Sequence, residues 1–172
     1  MKHRELAYCG LFGAAALLLP VLFHLIHLGH IFMPMYLPLV ALAFFVRPGM
    51  AALTALIVPM LSGAATGMPP FYPPVAPAMS LELALMALVI GTTRALFPRI
   101  NTLIVLIPVL AIGRVVNAVL FYWLALCIDL PARFIAGISL LSGWPGLVLM
   151  IVAVPAIVRL SRIPQSVNEG IK

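Results

Sequence analysis

The chain has 172 residues, of which 65% are hydrophobic and 8% charged, with a formal charge of +6 and a mean hydropathy of +1.23. An ordinary soluble domain carries about 25% charged residues, and a chain this short cannot hide so much apolar surface from water. Composition therefore excludes a soluble enzyme, a disordered chain and a nucleic-acid binder, and assigns the positive balance to the loops of a membrane protein.

A hydrocarbon core about 30 Å thick takes about 20 helical residues to cross. Six apolar segments stand out, and an all-α bundle of six transmembrane helices in a single membrane domain is expected. The predicted helices run from about Glu5 to Leu28, Met35 to Val46, Met50 to Gly67, Ser80 to Phe97, Thr102 to Ile128 and Phe134 to Leu160. The second is short for a span, which calls for tilt or for a start within Gly29–Pro34. The first is read as a permanent helix. Its apolar stretch is too long for a cleaved signal, is broken by Pro20 and His24, and leads to no A-x-A site.

The breaks are Arg47-Pro48-Gly49, Phe97-Pro98-Arg99 and the polar loop Asp129–Arg133. The longest connection, Met68–Pro77, has five prolines in ten residues. Proline lacks an N–H donor, so this segment is expected to be a stiff, extended loop. Two cysteines, Cys9 and Cys127, are too few for a disulfide framework. The topology puts them on opposite faces, where they cannot pair.

Positive charge sets the expected orientation. With the N-terminus in the cytoplasm, that side receives Lys2, Arg4, Arg47, Arg94, Arg99, Arg159, Arg162 and Lys172, and the outside receives Arg133. This asymmetry predicts six spans with both termini cytoplasmic. Of the ten cations, Arg114 is left inside the membrane.

An intramembrane charge is a functional candidate by default. Arg114 and Asn117, three residues apart, share a helical face. Gly113 beside the guanidinium leaves room for a ligand, so Arg114 either contacts one or pairs structurally with helix-end carbonyls or Glu82. Glu82 is expected about one turn inside helix 4. Arg114 lies about 21 Å from the outer end of its own helix. The two therefore either reach across by tilt or stand apart around a shared cavity. Trp144, with Ser142 and Gly143, is expected about ten residues into helix 6, where it forms either the wall of a pocket for a flat ring or plain core. Met68 and Tyr72 belong to the proline loop, and Met68 is placed to line an entrance. His24, His27 and His30 recur every three residues near the outer end of helix 1. They serve either as a transition-metal site or as capping and loop-anchoring groups. No H-E-x-x-H, G-x-S-x-G or Walker A motif occurs, and no paired intramembrane acids.

Between His30 and Gly91 the sequence contains P-M-x-x-P (Pro34–Pro38), P-x-L-S (Pro59–Ser62), T-G-M-P-P (Thr66–Pro70) and M-x-x-E-L (Met79–Leu83). A-x-G-R follows at Ala111–Arg114. With its length and helix count, the chain resembles the S components of energy-coupling factor (ECF) transporters. These are membrane subunits that bind a vitamin or other micronutrient at the outer face. The resemblance implies a pocket closed by the Gly29–Pro34 and Met68–Pro77 loops and built mainly from helices 4 to 6. Glu82, Arg114, Asn117, Trp144, Tyr72, Met68, His30 and Ser142 would bind substrate. It also implies a membrane coupling subunit and two cytoplasmic ATPases as partners. The coupling subunit would dock on a small-residue pattern in helix 1, here Gly10-x-x-x-Ala14. No cofactor and no enzyme activity of its own are expected. Alternative readings are a Co/Ni-type divalent-metal uptake subunit using His24, His27 and His30, a ligand-free structural protein, and an intramembrane enzyme. Metal-specific S components place a histidine directly after the initiator methionine, where this chain has Lys2.

Overall fold

The computed structural model describes residues 2–25, 33–127 and 144–160. Among these there are six helices and no strand: α1 Lys2–Leu25, α2 Tyr36–Leu42, α3 Pro48–Thr66, α4 Val75–Leu96, α5 Thr102–Cys127 and α6 Trp144–Leu160. The predicted ends beyond Leu25 and Cys127, residues 134–143 of the sixth helix and the Asp129–Arg133 loop lie outside the described residues.

Local chemistry sets several boundaries. Arg47 is extended and Pro48 opens α3, a first-turn position where the missing N–H is no loss. Gly67 closes the helix with φ of 74°, a left-handed cap that glycine adopts without a Cβ penalty. Asn101 caps α5, its side-chain oxygen accepting the Leu103 N–H at 3.0 Å.

The proline connection departs from expectation. It folds as compact turns (residues 71–74), and its end, Val75-Ala76-Pro77, is already helix. Proline carbonyls remain good acceptors: the Ala76 N–H bonds Pro70 O at 3.0 Å. Ser62 donates to Met68 O at 2.7 Å. The backbone also sits close on α3, where a Cβ on Gly63 would stand 2.7 Å from Pro69 O. A proline in the first turn breaks no helical hydrogen bond, so α4 begins five residues earlier than predicted.

The second helix is shorter than predicted. After Leu42 the chain tightens into three-residue turns, with Phe44 N–H on Ala41 O and Phe45 N–H on Leu42 O. Tyr36, Pro38, Leu39, Val40, Ala41 and Leu42 are all buried, as expected of a helix apolar on every side. This short helix is the hub of the bundle and touches α1, α3, α4 and α6. The α6 helix packs on α2 and α5 and buries Gly146, Met150, Val154 and Val158, one face at four-residue spacing.

One end of the bundle gathers positive charge. Arg47 at the start of α3 pairs with Glu5 at the start of α1 at 3.2 Å. Arg94 near the end of α4 lies 5.5 Å from the Phe44 ring centre, just past α2. The outer surface is apolar: Leu53, Ile57 and Leu61 on α3, Leu81 and Leu85 on α4, and Ile104, Ile112 and Val119 on α5 are exposed. Among the described residues, four helices are long and apolar enough to cross a membrane, at His3–Phe23, Pro48–Thr66, Val75–Leu96 and Thr102–Leu124. Long helices with a continuous apolar exterior point to a multi-pass membrane protein.

Candidate functional site

The earlier start of α4 changes the depth of Glu82. It lies seven residues from Val75, about 10 Å down the helix axis, two turns inside rather than one. That brings it level with the middle of α5 and with the first residue of α2.

The Glu82 side chain is 1% exposed. Its Oε2 accepts two hydrogen bonds, one from the Tyr36 hydroxyl of α2 and one from Asn117 Nδ2 of α5 at 2.7 Å. Its Oε1 is buried and has no hydrogen-bond partner. A buried carboxylate needs compensating donors, and here three helices converge to supply two of them on one oxygen.

Arg114 adjoins this cluster through Tyr36. Its guanidinium carbon stands 5.3 Å from the centre of the Tyr36 ring, and Nη2 donates to Met33 Sδ at 2.9 Å. Arg114 forms no ion pair among the described residues. Of the two alternatives left by the sequence, the structure shows separate groups rather than a direct Arg114–Glu82 pair, with Tyr36 touching both. The three-residue spacing of Arg114 and Asn117 does bring both to this place, and Phe121 on the same face is buried.

The role expected of Gly113 is corrected. A Cβ there would lie 2.6 Å from Met86 Sδ and 3.3 Å from Glu82 Oε1. The missing side chain lets α4 pack closely on α5 and is filled by Met86, not left open beside the guanidinium.

Other predicted residues are elsewhere. Trp144 stands at the described start of α6 and is 66% exposed, rather than walling the Glu82 cluster. Tyr72 and Met68 are exposed on the α3–α4 connection, and neither is among the hydrogen-bond partners of Glu82. His27, His30 and Ser142 lie outside the described residues, and of His24 only the backbone is described. Gly10 and Ala14 are exposed on α1, and a Cβ on Gly10 would meet nothing within 4 Å. Gly13 faces inward, where a Cβ would stand 3.5 Å from Val58. Cys9 and Cys127 are free thiols, the first buried and the second exposed.

Sequence reading missed Tyr36 and Met33. The signal for Tyr36 was its hydroxyl, because a phenol in an apolar segment takes a partner, and Glu82 was the acid available inside a span. No family model, curated protein or solved structure matches the chain.

Proposed function

We propose that this chain is the substrate-binding membrane subunit of an ECF-type importer. In this reading it captures a water-soluble vitamin or vitamin precursor at the outer face and delivers it inward with a coupling subunit and two ATPases. The observation that carries the reading is the cluster at mid-bundle. A buried carboxylate with one oxygen unpaired and an arginine held by a thioether sit together inside an otherwise apolar protein. Such groups are costly in a membrane and mark substrate paths, and a purely structural bundle gains nothing from leaving them half satisfied.

Two further features fit. The small residues of α1 divide into an inward set that packs on α3 and an outward set, Gly10 and Ala14, with Leu11 and Leu18 exposed beside them. The outward set suits close docking of another membrane helix. The end of the bundle that carries Arg4, Arg47 and Arg94 would then be cytoplasmic, consistent with six spans and both termini inside a prokaryotic plasma membrane.

The test is co-expression of the tagged chain with an ECF coupling subunit and its ATPases. Recovery of all partners with the chain is expected, together with ATP-dependent uptake in reconstituted vesicles. A chain that recovers none of them is not an ECF subunit.

A further inference from the structure

The partner of Arg114 is chemically mismatched. A guanidinium is always charged and offers a planar fork of donors suited to a carboxylate, and its strong hydrogen bonds are made to ionised acceptors. A thioether is a weak, neutral acceptor. Yet Met33 Sδ takes the Nη2 donor at 2.9 Å. Met33 has a positive φ of 46°, a conformation uncommon outside glycine and worth a functional question. On the other side of Tyr36, Glu82 Oε1 is an acceptor with no donor.

We propose that Arg114 receives the carboxylate of the ligand, and that Met33 holds the guanidinium until the ligand displaces it. The ligand is thus a small organic acid. Its neighbouring N–H or O–H group is taken by Glu82 Oε1, so the charge brought in by the carboxylate lies against Arg114 and away from Glu82. Tyr36, which packs on the guanidinium and bonds Glu82, separates the two handles. This inference rests on the reading of the cluster as a ligand site.

Benzoate and benzamide serve as probes, because they match in shape and differ in charge. The protein is labelled with 13C-methyl methionine, and the Met33 resonance is assigned among the nine methionines by its loss in Met33→Leu. Benzoate is expected to shift the Met33 methyl signal saturably, and benzamide to leave it in place. Arg114→Gln should weaken the benzoate response by about tenfold or more, the loss of one charge-assisted pair. Met33→Leu removes the competing acceptor and should tighten benzoate binding, followed by calorimetry, by roughly threefold. A Met33 signal unmoved by benzoate, an equal response to benzamide, or weaker benzoate binding by Met33→Leu overturns the inference. If benzoate fails while the chain still recovers its coupling subunit and ATPases, the anion site falls and the importer reading stands. If benzoate binds and no partner is recovered, the reverse holds.

Discussion

Tyr36 donates its hydroxyl to the Glu82 carboxylate across 46 positions of sequence, fastening the start of the hub helix α2 to the middle of α4. The same carboxylate oxygen takes the Asn117 amide of α5. One buried acid therefore ties together three helices, two of which, α2 and α5, also meet through the Arg114 guanidinium over the Tyr36 ring.

Removing the phenol tests that tie. Tyr36→Phe keeps the ring under Arg114 and takes one of two donors from Glu82. Interhelical hydrogen bonds in bilayers average about 0.6 kcal/mol and reach about 1.7 kcal/mol, and a charged acceptor belongs at the upper end. A loss of about 1–2 kcal/mol in reversible unfolding in mixed micelles is expected. An unchanged midpoint would mean that the bond contributes nothing.

A side chain at Gly113 should compete with Met86 for the same space. Gly113→Ala places a methyl against Met86 Sδ and near Glu82 Oε1, and overpacking of this kind costs about 1–3 kcal/mol. Met86→Ala should recover part of that loss in a double-mutant cycle, because the two residues share one space. Strict additivity of the two substitutions would refute the close α4–α5 contact.

The two faces of α1 predict opposite outcomes. Gly10→Leu projects into open space and should leave the melting temperature within about 2 °C of the parent, while blocking recovery of the coupling subunit. Gly13→Leu meets Val58 and Thr54 and should lower the melting temperature. If Gly10→Leu still recovers the coupling subunit in full, the docking face lies elsewhere.

Ligand retention should separate the cluster from the surface. Asn117→Ala removes the α5 donor to Glu82 and is expected to weaken binding of a ligand recovered with the purified chain by about tenfold, or 1.4 kcal/mol. Trp144→Ala, on an exposed residue, should bind as the parent does. The comparison is made by titrating ligand back into stripped protein.

The limits of sequence reading follow from what acts locally and what does not. Pro48, read as part of a break, opens α3 two residues before the predicted Met50, but the start of α5 was legible because Asn101 acts within one turn, and Gly67 marks the end of α3 equally well. The α4 start was not, because proline content reads as a break, whereas proline in a first turn is harmless. That five-residue difference hid the common depth of Glu82, Asn117 and Tyr36. Arg114 and Asn117 were legible as one face from their spacing. Their neighbours Tyr36 and Met33 were not, since these arrive from α2 and the turn before it, whose position depends on how α2 is enclosed by four other helices. Gly113 was misread because the sequence shows a missing side chain but not Met86 filling its place.

The central claim, that this bundle holds a small-molecule ligand at the Glu82–Arg114 cluster, is tested most directly by native mass spectrometry of protein released gently from micelles. The account predicts a wild-type species heavier than the bare chain by one small molecule, with that species lost in Arg114→Ala. A wild-type spectrum containing only the bare chain, or an adduct that survives Arg114→Ala undiminished, would contradict it.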